Sequence, residues 1–255
     1  MGIVKQALVP SSLALVIGTG VTAGKQAAAG YDSGYAARVM RKAEPYLAEK
    51  LSERKEKEPK IDTMNLESCK RNRKECKEDS EDAMERIETA LSLLESVPCS
   101  IAGADNWAVI VRKSTRTIIA EDNGEFCEYH RGSTDTLTAM LLPEITSMSI
   151  CILTDDDWRL AATMLHEAVH NIQLSTLQGL KIENDPIYNE ICEVGTREQA
   201  YEALAFSAVI ALVDDYERQK ESAPWFGWIF KEDLLRIRLR AQKMLANVRE
   251  NSYGI

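Results

Sequence analysis

Residues 158–173 read WRLAATMLHEAVHNIQ. Trp158, Leu165, Val169 and Ile172 recur at helical spacing and make an apolar side, while Ala162, Thr163, His166, His170 and Gln173 lie on the other. On a helix, side chains four apart stand one turn above each other, so His166 and His170 point the same way and their ring nitrogens can meet one divalent metal ion. Glu167 faces the same cavity, within reach of a water held there. The small residues above the histidines leave room for a metal or a substrate. The chain has three histidines, and two of them are in this stretch.

His166-Glu167-Ala168-Val169-His170 is an HExxH pattern, whose chemistry is that of metal-assisted peptide hydrolysis. A catalytic zinc needs a third protein ligand. No histidine follows His170, which excludes the extended HExxHxxGxxH arrangement and leaves a carboxylate. Residues 196–213, TREQAYEALAFSAVIALV, form an apolar helix with two carboxylates, Glu198 and Glu202, on one face. Charges on so apolar a helix need a partner, and a metal supplies one. Residues 174–195 carry Glu183, Glu190 and Glu193 as well, so spacing alone leaves the third ligand open.

Together these two helices resemble the gluzincins, the HExxH-plus-glutamate zinc peptidases. The run from Glu198 to Leu204 resembles the ExxxEAF helix of lethal-factor-type toxin peptidases, and the HExxHxxQ run ending at Gln173 is similar to that of small bacterial gluzincin-like proteins. The resemblance covers about residues 150–210, and the spacing between the helices is shorter than in the toxin type. It implies Zn2+ as cofactor and His166, His170 and Glu198 as its ligands. Glu202 would hydrogen-bond a ligand histidine from behind. Glu167 would be the general base for a zinc-activated water attacking a peptide or protein substrate. Tyr188 and Tyr201 are the candidate donors to the oxyanion. Two rival readings are a catalytically silent zincin-fold binding or effector module and a membrane-attached scaffold with an incidental HExxH. The first draws on a charged, cysteine-bearing front half that has no place in the chemistry.

The 255 residues are 45% hydrophobic and 28% charged, enough apolar content for a sizeable core. Net charge is −9 and no basic stripe interleaves with aromatics, so nucleic acid is not an expected partner. Six cysteines form no CxxC pair, which speaks against a cysteine-ligated zinc knuckle, and an even count fits an oxidising compartment. If residues 69–76 are one helix, Cys69 and Cys76 stand about 10 Å apart along it, too far for a mutual bond. Cys151 lies in an apolar run and reads as a buried free thiol.

The expected fold is α+β and zincin-like, with a small β-sheet edge packed on the HExxH helix and additional α-helices. Residues 1–29 read as a signal peptide or a membrane anchor, with membrane attachment through residues 7–24; an ordinary buried segment is the third reading. The expected location is therefore secreted or membrane-anchored and extracytoplasmic. Residues 30–98 form a helical, charged N-terminal region, with a helical stripe in 31–60 and an amphipathic helix over 81–97 ended by Pro98. Residues 99–255 form the catalytic domain. Within it, Trp107–Val111 and Thr117–Ala120 read as a hairpin joined by 112–116, and 146–154 as a strand. Asp155-Asp156-Asp157 reads as a helix cap. His130 lies in a polar loop. The segment PWFGWIF, with Trp225, Phe226, Trp228 and Ile229, precedes a basic amphipathic helix and reads as cover for its apolar stripe.

Overall fold

Short strands alternate with helices of very different lengths. The computed structural model describes residues 34–129, 132–134, 146–154, 156–175, 185, 187–192, 194, 196–222 and 231–250. In chain order the elements are α1 (34–52), β1 (Lys60–Asp62), α2 (Glu67–Arg71), α3 (Arg73–Glu95), α4 (Trp107–Ser114), β2 (Thr117–Glu121), α5 (Gly124–Tyr129), β3 (Gly132–Thr134) and β4 (Ser147–Cys151). There follow α6 (Asp157–Ser175), a π-helical turn (Ile187–Ile191), α7 (Arg197–Ser222) and α8 (Lys231–Glu250). The protein is α+β. No helix among the described residues is long and apolar enough to cross a membrane. The leader or anchor expected over residues 1–29 lies outside the described residues, as do His130 and the PWFGWIF segment.

The sheet is mixed, in the order β1-β2-β4-β3. β1 and β4 run parallel to β2, while β3 runs antiparallel to β4 and is the outer strand on that side among the described residues. Alternation decides which side chains go inward: Ile118 and Ala120 of β2 pair with Met148 and Ile150 of β4, and all four are buried. The strand expected over 146–154 is thus present over its first part.

α6 lies at the centre of the molecule, packed against α3, α4, α7, α8, β3 and β4. Trp158, Leu160, Met164, Leu165, Val169 and Ile172 are fully or almost fully buried along it. Each such side chain stabilises the fold by about 1.5–3 kcal/mol through removal from water. Its start is held from two sides. Asp156 accepts the Arg159 backbone N–H at 3.1 Å, the capping role expected of the aspartate run. Arg86 of α3 donates to the carbonyl oxygens of Ile152 and Thr154 and pairs with Asp157 at 3.7 Å. The charged front half therefore reaches the helix that carries the HExxH pattern. It also shares the main core, since one cluster of buried side chains runs from Tyr35, Val39 and Leu47 through Ile87 and Leu94 to Leu245.

Three expectations are corrected. Residues 107–114 are helix α4, not the first strand of a hairpin. The Asn106 side chain caps it by accepting from Val109 N, and Trp107 through Val111 are all buried. Its first five residues are buried without a polar one among them, and three of them, Val109, Ile110 and Val111, are β-branched and mimic a strand; the half-buried Arg112 and Lys113 come only in the last turn. Trp107 anchors it by donating Nε1–H to buried Asp215 at 3.1 Å.

The second correction concerns Cys69 and Cys76, which form a disulfide with Cα atoms 4.2 Å apart. The helix assumed to separate them breaks at Asn72, whose backbone is extended and whose side chain caps α3 through Lys74 N. The third is Cys151, which is bonded to Cys127 and not free. That bond ties the end of β4 to α5, just ahead of β3. Replacing both Cys127 and Cys151 with serine is expected to lower stability by about 3 kcal/mol, from loop-closure entropy over a separation of 24 residues. The shift in urea midpoint measures it.

Candidate metal centre

His166 and His170 present their Nε2 atoms to one point, 3.0 Å apart, with rings nearly perpendicular and centroids 4.6 Å apart. The third group at that point is Glu202. Its Oε2 lies 3.3 Å from His166 Nε2 and its Oε1 3.5 Å from His170 Nε2. Among the described residues these three form the group able to hold a metal ion, with all ligand atoms within 4.8 Å of one another. Ligands about 2.0–2.1 Å from a tetrahedral zinc stand about 3.3–3.4 Å from each other. The observed separations bracket that value, so two imidazoles and one carboxylate fit the ion.

Of the two glutamates of the α7 helix, the one expected to stand behind a ligand histidine is the one that reaches the imidazoles. Glu202 meets the imidazoles. Glu198, one turn earlier, is exposed on the rim of the neighbouring cavity and stands outside the group. Both share a helix face, and only the seating of α7 against α6 decides which turn comes level with the histidines. Phe206, one further turn on, packs its ring on His166 at 4.6 Å and fixes that seating.

The support behind His170 comes from Gln173, one turn on in the same helix. His170 Nδ1–H donates to Gln173 Oε1 at 2.7 Å, and Gln173 Nε2 donates to the Tyr201 carbonyl oxygen at 3.0 Å. This leaves Nε2 as the nitrogen facing the cavity. Gln173 is fully buried and bridges α6 to α7 next to Glu202. If the group holds a divalent metal, changing Gln173 to alanine is expected to weaken its binding by about 10–100-fold with the fold retained. Titration against a competing chelator reads the loss.

Electrostatics follow from this geometry. Burial alone would push the His170 pKa down, but the hydrogen bond to Glu202 and the charges of Glu167 and Glu202 outweigh it and hold it above the ordinary value. Burial would likewise raise Glu202, yet the hydrogen bonds from His166 and His170 hold its carboxyl far below the usual range. A metal held there would have to displace the His170 proton, so its affinity would fall as pH drops through that raised value.

Glu167 is 6% exposed and lies beside the group. Thr134 of β3 donates its hydroxyl to Glu167 Oε2 at 2.9 Å. Gly132, at the start of β3, passes so close that a Cβ there would stand 2.6 Å from Glu167 Cγ and 2.9 Å from Oε1. Only glycine leaves the carboxylate its place. Neither Gly132 nor Thr134 was legible beforehand, because nothing in RGST marks a strand that crosses a helix more than 30 residues later.

Tyr201 has its hydroxyl engaged: it donates to Asp185 Oδ2 at 2.5 Å and accepts from Arg197 Nε at 2.9 Å, and Arg197 pairs with Asp185 at 3.4 Å. Burial and the Asp185 bond raise its pKa above the ordinary value. Its proton is thus directed at a buried carboxylate and not at the point where the imidazoles meet. The Tyr188 side chain lies outside the described residues.

Two cavities flank the group and share Gly132, Glu167 and Glu202. One, of about 280 Å³, takes His166 into its lining and is mainly apolar; the other, of about 450 Å³, takes His170 and is lined by Ser133, Thr134, Arg197 and Glu198 among others. The chain matches no protein-family model, no curated protein and no solved structure.

Proposed function

We propose that the protein is a zinc-dependent peptidase of gluzincin type, with a zincin-like fold, holding its metal through His166, His170 and Glu202. The observation that carries this reading is the convergence of those three groups beside a buried glutamate, at the junction of two cavities. A divalent ion seated there would supply the positive charge that polarises a carbonyl and makes a water acidic. Glu167 takes a proton from that water and delivers it to the departing amine. Thr134 holds one of its oxygens, so the other is the base. β3, the outer strand among the described residues, borders both cavities, and an extended peptide laid along it can add as a further strand and thread past the group.

Two disulfides support an oxidising, extracytoplasmic setting, in keeping with the apolar run in residues 7–24. The test is metal content and turnover together. Protein purified without added metal should carry one zinc per chain and hydrolyse denatured protein. A chelator should abolish the hydrolysis, and added zinc should restore it. Absence of zinc would refute the reading, and zinc without turnover would favour a silent binding module.

A further inference from the structure

The smaller cavity carries more information than a generic cleft. Its walls come from three helices: Ala162 of α6, Phe206 and Val209 of α7, and Ile237 and Ala241 of α8. Such walls favour an apolar stem. The charged side chains in the lining, apart from the groups already assigned to the metal and the base, are Arg159 and Arg240, with no acid or lysine among them. Arg159 lies seven residues before His166, two turns away on the same face of α6. Arg240 comes from α8 and forms no ion pair among the described residues. The two guanidinium groups offset the carboxylates of Glu167 and Glu202 in the same lining, which makes the cavity less acidic than the chain as a whole, whose net charge is −9. A guanidinium is the side chain best shaped to take a carboxylate through two parallel hydrogen bonds. The volume, about 280 Å³, exceeds the roughly 150 Å³ that admits a benzene ring in an engineered protein cavity, so a long side chain fits.

We infer that this cavity selects a peptide residue carrying a carboxylate on an apolar stem, with Arg240 as the reading residue and Arg159 beside it. The inference rests on the peptidase reading for its substrate class. Two sources can present this chemistry, an internal glutamate or a chain-terminal carboxylate.

The test uses the full chain loaded with zinc and carrying Glu167→Gln, so that binding is measured without turnover. Fluorescent peptides blocked at both ends, with a central leucine, glutamine or glutamate flanked on each side by three alanines, are titrated by anisotropy. Beside them runs a shorter acetylated peptide, three alanines followed by leucine, with its C-terminus free or amidated. The expected result is a gain of about 10-fold for one carboxylate peptide over its neutral twin. A gain for glutamate over glutamine identifies an internal acidic residue; a gain confined to the free terminus identifies end-trimming. Arg240→Gln should bring that ratio to about one, and Arg240→Glu should reverse it, while the amidated leucine peptide binds all three forms within about twofold. Arg240 is exposed on α8, and equal melting temperatures check that the variants fold. The inference is overturned if neither carboxylate peptide gains over its twin, if no peptide binds, or if the gain survives Arg240→Glu. Turnover by the unsubstituted chain is measured separately, so a failed peptidase reading and a failed pocket give different results.

Discussion

A Glu167→Gln variant is expected to bind zinc as the parent chain does and to lose about 10²–10⁴ of its peptide hydrolysis, almost all of it in kcat. Glutamine keeps the size of the side chain and still offers an oxygen to the Thr134 hydroxyl, so the packing beneath Gly132 is undisturbed. What it cannot do is take a proton from water near neutral pH. Glu167 lies outside the group of metal ligands, so metal stoichiometry should hold. Single-turnover hydrolysis alongside zinc analysis measures both. A variant that keeps full activity would remove Glu167 from the chemistry and leave the metal group without an assigned base.

The second large effect separates the two glutamates of α7. Glu202→Gln is expected to lower zinc affinity by roughly 100-fold or more, since losing a ligand costs at least as much as losing a group that only supports one. Glu198→Gln should change it by no more than about threefold, a small fraction of what removing even a supporting group costs. The basis is positional: Glu202 places its two oxygens 3.3 and 3.5 Å from the two imidazoles, while Glu198 is exposed one turn away. Glutamine also removes the negative charge that raises His170, so protons compete less with the metal and the loss should be smaller at acid pH than at neutral pH. Competition with a chelator of known affinity at two pH values reads both effects. The opposite ranking, with Glu198→Gln costly and Glu202→Gln mild, would return the ligand role to Glu198.

Much of the α-helical frame is legible because its helices have one wet face. The stripe Val39, Ala43, Leu47 and Leu51 in α1, the stripe Ile87, Leu91 and Leu94 in α3, and Leu234, Ile237, Ala241 and Leu245 in α8 are buried as their spacing predicts, while Met84 and Met244, expected on the same stripes of α3 and α8, are exposed. α4 was misread because its first five residues are all buried and its polar pair, Arg112 and Lys113, comes only in the last turn, so the run before it reads as a strand. The disulfides were illegible because a break at one residue, Asn72, sets the distance between Cys69 and Cys76, and because Cys127 and Cys151 lie on elements brought together by the sheet.

For the site, residue identity alone determined that His166 and His170 share a face with Glu167 next to it, because four residues make about one helical turn whatever surrounds them. The absence of any histidine after His170 narrowed the expected third ligand to a carboxylate, and the helical period put two candidates on one face of α7. Choosing between them, placing Gly132 and Thr134 over Glu167, and committing the Tyr201 hydroxyl to Asp185 were decided only by the packing of α6 against α7 and β3. Those contacts join residues far apart in the chain, and their register depends on how the half-buried Phe206 and the buried Gln173 interlock with their neighbours, which no local pattern encodes.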